Sequence, residues 1–230
     1  MPFTLTIDFN KPIALFPLQQ CVLLPHTTAP LHIFEERYRA MTRDALDSSG
    51  LIAMAMLDGN DPGHDDEGRP TIRDHLCVGY IVQHDRLTDG RYNILLQGVA
   101  RAKLREELEP DPGGYRRALL MPSEQGAMEI DLERQRQSLD ALLEDEALKQ
   151  LAGFNAVHNW ATPELPTAAL TDLAWSTLSR DHEERYGILS EPCPLRRADR
   201  LIAMLRQTRK TLQIAERMGP CVGEHGLGLN

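Results

Sequence analysis

The stretch that decides the fold is Leu15–Met41, "LFPLQQCVLLPHTTAPLHIFEERYRAM". Prolines at 17, 25 and 30 cut it into short apolar runs, and a charged segment follows Phe34. Proline carries no amide donor, so "IALFPL" (13–18), "CVLL" (21–24) and "PLHIF" (30–34) read as edge strands or strand ends. From Glu35 the apolar period changes. Tyr38, Met41, Thr42, Ala45 and Leu46 recur at helical spacing and predict one buried helix face. "DSSG" closes that helix, with Gly50 as a left-handed cap. In "PLHIF", Leu31 and Ile33 alternate with His32 and Phe34, so the two pairs face opposite sides of a strand, and one pair enters the core.

Downstream, "LIAMAML" (51–57) has the length of a buried strand, and "DGNDPGHDDEGRP" (58–70) reads as an exposed acidic loop. The run 75–108, "HLCVGYIVQHDRLTDGRYNILLQGVARAKLREEL", carries Asp89-Gly90 between apolar halves, which predicts a hairpin with a tight primed turn. Gly79 and Gly98 inside it predict bulges of the kind that bend a small closed barrel. "YRRALLMP" (115–122) is the expected last strand.

The remainder is helical. Leu139, Leu142, Leu143, Ala147, Leu148 and Leu151 form one apolar stripe. Leu170, Leu173, Ala174, Thr177 and Leu178 form another, with Thr167 as its expected N-cap. A short helix is expected over about 181–189. A last one runs from about Leu195, with Ala198, Leu201, Ile202, Leu205, Leu212 and Ala215 on one arc, to the stop at Gly219-Pro220. Strands first and helices second give an α+β class. The expected units are a small β-barrel with one early helix over 10–125, a helical bundle over 126–218 and a flexible tail over 219–230.

The chain has 230 residues and a net charge of -9, which opposes generic binding to phosphate backbones. No apolar run approaches the roughly 20 residues of a membrane helix. "MPFTLTIDFN" has no basic residue before an apolar block, so a cytoplasmic location and no membrane association are expected. Cys21, Cys77, Cys193 and Cys221 lie far apart, as free thiols would.

Chemical motifs are sparse. The chain has no Gly-Lys dipeptide and hence no phosphate-cradling GxxxxGK[ST] loop, and neither GxSxG nor HExxH occurs. His75, Cys77 and His84 match no standard zinc spacing and read as a packed cysteine beside surface imidazoles. "HDDE" (64–67) reads as solvated carboxylates. Cys21 with His26, and Ser48 or Ser49 with any histidine, have no supporting context as nucleophile pairs. Arg206, Lys210 and Arg217 form a basic stripe best read as a solvated helix face. No cofactor and no metal are expected.

Residues Leu15–Leu18, Val22, Leu23, Pro25, Pro30–Glu35, Arg37 and Tyr38 follow a long, position-specific pattern that resembles the start of the Lon protease N-terminal domain family. Asp89–Leu95 and Gly98-Val99 are similar to that family's hairpin, and "ILSEPCPLRRADRLIAMLRQ" (188–207) to the stretch that ends such domains. Three departures stand out: Leu24 replaces a usual Phe, His26 stands where glycine is common, and "HLCVGYI" lacks a glycine and an arginine.

The resemblance implies a pseudouridine-synthase-and-archaeosine-transglycosylase (PUA)-like β-barrel followed by a helical bundle. It also implies a non-catalytic module of the standalone bacterial type, without ATPase or protease domains, that binds unfolded or degron-bearing polypeptides. A protease or chaperone is a further expected partner, and weak self-association would add avidity. His32, Phe34, Arg37 and Tyr38 are expected to rim a groove between barrel and bundle, with Arg91, Tyr92 and Asn93 supplying an open strand edge. RNA binding, known for PUA-like barrels in other families, and a small hydrolase are the alternatives.

Overall fold

A computed structural model describes residues 5–59, 69–124 and 130–218. The predicted tail, most of the predicted acidic loop and Cys221 lie outside them. Six strands come first: β1 (Ile13–Leu18), β2 (Thr28–Ile33), β3 (Leu51–Leu57), β4 (Ile72–Arg86), β5 (Tyr92–Leu108) and β6 (Arg117–Pro122). Helix α1 (Glu36–Leu46) sits between β2 and β3. Five helices follow: α2 (Glu133–Leu143), α3 (Phe154–Trp160), α4 (Thr167–Leu178), α5 (His182–Leu189) and α6 (Pro194–Met218). This is the expected α+β class.

The strands close on themselves. β1 pairs parallel with β3, β3 antiparallel with β4, β4 with β5, β5 with β6, and β6 returns to β1 through Ile13↔Ala118 and Ala14↔Arg117. The 17-residue β5 is long enough to serve two neighbours on one edge: its second half takes β6 and its first half takes β2. Strand β2 therefore hangs beside the ring, with no partner on its outer side among the described residues.

β3 shows why a seven-residue run can be apolar throughout. Leu51, Ala53 and Ala55 face the barrel interior with Leu15, Leu76, Val78, Ala102 and Leu120. Ile52, Met54 and Met56 face a second core shared with Phe16, Ile33, Met41, Leu96 and the helices. Both faces are buried, so alternation disappears. The expected bulges are present, with register shifts at Val78/Gly79 and Ile81/Gln83. A Cβ on Gly98 would stand 2.2 Å from the Leu24 carbonyl oxygen, so only glycine lets these backbones meet.

Four expectations are corrected. "CVLL" (21–24) is not a strand. Pro25 supplies no donor and His26 takes φ 67, so the chain turns there, and the Thr27 hydroxyl donates to the Leu24 carbonyl (2.7 Å). Glycine, common at this position in the pattern the stretch resembles, would adopt that φ without strain. The Asp89-Gly90 turn is not primed: only Gly90 (φ 81) is left-handed, with the Gly90 amide donating to the Leu87 carbonyl (2.9 Å) and the Leu87 amide to that of Arg91 (2.8 Å), a three-residue loop. The stripe 139–151 breaks after Leu143, because the Asp145 carboxylate accepts from the Ala147 amide (3.1 Å) and only a 3-10 turn, Leu148–Gln150, follows. α3, opened by Gly153 at φ 82, was not foreseen. Thr167 is the first helical residue of α4, with Pro166 in the cap position.

Strands and helices share more than apolar surface. The fully buried Arg101 of β5 donates two bonds to Asp172 of α4 (2.6 and 2.9 Å). Arg197 of α6, also fully buried, lies 3.4 Å from the same carboxylate, bonds Glu124 and donates to the Glu191 carbonyl (2.9 Å). Nearer the surface, Arg73 of β4 holds Glu183 of α5 through two 2.7 Å bonds, and the His75 amide donates to the Tyr186 hydroxyl (3.1 Å).

Candidate functional site

The unpaired outer side of β2 is the principal feature. The Gly98 amide donates to the Thr27 carbonyl (2.8 Å), which sets the alternation of the β2–β5 ladder. Ala29, Leu31 and Ile33 turn their amides and carbonyls toward β5. Thr28, Pro30 and His32 turn theirs outward, and Pro30 offers a carbonyl alone. A free edge blunted by a central proline resists uncontrolled strand addition while keeping donors at both ends.

Side chains arm the end of this edge. His32 and Asn93 are opposite one another and bonded, Nδ1 to Oδ1 at 2.7 Å. Arg91 lies 3.3 Å from His32 Nε2 and is anchored to Asp89 at 2.6 Å. That arginine holds the Asp89 carboxyl below its usual range. Phe34 stacks near the His32 ring with centroids 6.2 Å apart, yet 61% of it is exposed. An exposed phenylalanine beside an open edge is an informative kind of apolar exposure.

The seven residues expected at the site do not all meet. His32, Phe34, Arg91 and Asn93 form this patch. Tyr38 and Tyr92 are core: Tyr38 packs edge-on against Phe16 (4.7 Å), and Tyr92 pairs with Arg86 on one side and Ile33 on the other. Strand β5 is therefore interior at 92–93, and the open edge belongs to β2. Arg37 sits on α1, bonded to Glu35 (2.8 Å), with its guanidinium 4.6 Å from the Tyr38 ring centroid.

The groove is also elsewhere than expected. Polar contacts between strands and helices gather at Arg73, His75 and Arg101, whereas the patch lies at the hairpin tip. Along β4, Arg73 and Arg86 stand at opposite ends of the strand. The concavity beside the tip is a cleft of about 650 Å³ between α1, the β4–β5 turn and the loop 112–114. It is lined by Glu36, Arg37, Arg39, Arg43, Arg86 and Gly113, among others. Arg39, Arg43 and Arg86 were missed; the i, i+4 spacing of the first two was readable, but their meeting with Arg86 was not.

The groups weighed and set aside as nucleophiles are not activated. The Ser48 hydroxyl donates to the Asp44 carbonyl (2.7 Å), and burial raises the Cys21 thiol. Cys77 is fully buried, its thiol pushed up to about 12. Among the described residues no three His, Cys, Asp or Glu side chains are grouped as a metal site, and no helix is long and apolar enough to cross a membrane.

Comparison with known proteins places this architecture. Two solved structures share the fold. The N-terminal domain of Mycobacterium avium complex Lon protease matches with a TM-score of 0.64 at 16% identity, covering 85% of this chain and 98% of that one. The Lon N-terminal domain protein from Xanthomonas campestris matches at 0.55 and 20% identity, covering 84% and 98%. Lon protease 1 of Myxococcus xanthus is 30% identical over 102 residues, 41% of this chain and 12% of its own length. Lon protease 3 of Sorangium cellulosum is 26% identical over 214 residues, 84% of this chain. The chain spans only 23% of that second relative's length. The model of the ATP-dependent protease La (LON) substrate-binding domain matches residues 12–207, and the chain belongs to that family.

Proposed function

We propose that this chain acts as a non-catalytic polypeptide-binding module. It takes up an extended, unfolded or degron-bearing segment along the outer edge of β2. The observation that carries this reading is the free backbone of Thr28, Pro30 and His32 running into the exposed Phe34 ring. Backbone bonds along an edge supply affinity without demanding one sequence, and Phe34 offers an apolar anchor. The family's description as a substrate-binding domain points the same way. A short edge with one anchor binds weakly, so self-association, or delivery to a protease or chaperone, would raise effective affinity. The expected location is the cytoplasm.

The test is fluorescence anisotropy with a reduced, alkylated, permanently unfolded protein. Saturable binding in the micromolar range is expected, weakened about tenfold by Phe34→Ala, the scale of a modest anchor residue. Absence of binding at high micromolar concentration, or binding indifferent to Phe34, contradicts the proposal.

A further inference from the structure

The cleft beside the patch has a chemistry of its own. Four guanidinium groups, Arg37, Arg39, Arg43 and Arg86, line it against one carboxylate, Glu36. This stands out in a chain whose net charge is -9. The arginines are only partly engaged. Arg37 gives Nε and Nη2 to Glu35 (3.0 and 2.8 Å). Arg39 gives Nε to the Gly90 carbonyl (2.8 Å), a bond that presents its guanidinium across the cleft wall. Arg43 gives Nε to Asp44 (3.1 Å). Arg86 lies over the Tyr92 ring at 5.9 Å and makes no ion pair with a described residue. Pro112-Gly113-Gly114 closes the cleft against α1: a Cβ on Gly113 would stand 2.9 Å from that of Ala40, so the loop is seated on the helix.

We infer that this cleft holds the carboxylates of an acidic segment within the bound polypeptide. Arginine forks match carboxylates bidentately, and four of them in one concavity favour a ligand with more than one negative charge. Phe34 precedes Glu36 and Arg37 by two and three residues, so the apolar anchor lies close in the chain to the first turn of the helix that lines the cleft. The inference rests on the polypeptide-binding reading and adds a preference: substrates carrying Asp or Glu next to an apolar residue.

Two labelled extended peptides, identical except for four Glu in one and four Gln in the other, are titrated against the full chain, Arg37→Glu, Arg86→Glu and Phe34→Ala. The Glu peptide should bind about tenfold tighter at low salt, about one well-made charge-assisted contact. That margin should vanish in both arginine variants and shrink at high salt, whereas Phe34→Ala weakens both peptides alike. Equal binding of the two peptides, unchanged by the arginine variants, overturns the inference and leaves the polypeptide reading standing. If neither long peptide binds, triglutamate is titrated alone and followed by NMR at the arginine Nε–H groups. Shifts at Arg37, Arg39 and Arg86 that disappear in the variants support the cleft and sink only the longer reading; no shifts sink both. A uridine dodecamer that binds in the cleft and displaces the Glu peptide would assign the site to nucleic acid and overturn the inference.

Discussion

Arginines gather in two places, and the two differ in almost every respect. Arg101 and Arg197 are fully buried, wrapped around Asp172 with Glu124 beside them, and they tie β5 to α4 and α6. Arg37, Arg39, Arg43 and Arg86 line an open cleft with one carboxylate among them. A buried guanidinium without a partner is prohibitively costly, and both interior arginines are ion-paired to Asp172 and Glu124, although the Nε–H of each meets no hydrogen-bond acceptor among the described residues. The cleft arginines keep much of their solvation, which lets them remain underpaired and available. The same residue type is architecture in one region and a candidate contact in the other.

The largest effect should come from breaking the closed cluster. Asp172→Ala leaves Arg101 and Arg197 facing one another in the interior and should cost about 3–5 kcal/mol in urea unfolding, as removing one partner of a buried pair does. If the loss is under 1 kcal/mol, the cluster is not the tie described here.

The alkaline limb of stability probes the same region. Cys77 lies across the ladder from Arg101, and burial lifts its thiol from 9.0 to about 12. A raised value means the neutral thiol is favoured in the fold. Its contribution is therefore present in full below pH 9 and is lost as pH rises toward 12, by up to about 4 kcal/mol at 1.36 kcal/mol per unit. Burial also raises Tyr38 and Tyr186, which act in the same direction. Unfolding midpoints measured from pH 8 to 11 should fall, and Cys77→Ala should fall less steeply.

Gly98→Ala pushes a Cβ into the Leu24 carbonyl and should cost about 2–3 kcal/mol, at the upper end of overpacking penalties. His26→Gly should do the opposite, adding about 1 kcal/mol in thermal melts by relieving a left-handed residue. Smallest of all, Arg86→Ala in the open cleft should change stability by no more than about 0.5 kcal/mol. A large loss there would make the cleft arginines structural too and erase the contrast.

What the sequence made legible follows from range. Helix α1, the existence of the hairpin and most of the strands rest on local periodicity and on glycine and proline, and these could be read directly, whereas "CVLL" was too short a run to tell a strand from a turn. The alternation in "PLHIF" correctly separated Ile33, which is buried, from His32 and Phe34, which are exposed. The same logic applied to "YNIL" sends Tyr92 inward with Ile94 and leaves Asn93 on the other face with Leu95. Which strand owns the open edge depends on strand order, which no local pattern carries. The Arg101–Asp172 pair joins residues 71 positions apart, and the cleft brings Arg86 to α1 through the closure of the sheet. Polar residues were readable as polar; whether they end up buried and paired or open and free was decided by topology.

The central claim concerns the outer edge of β2, and backbone amide exchange tests it most directly. With a saturating unfolded peptide, the amides of Thr28 and His32 should slow markedly, while Ala29, Leu31 and Ile33, already bonded to β5, should not change. Unaltered exchange at Thr28 and His32, with protection appearing among the helices instead, would contradict the account.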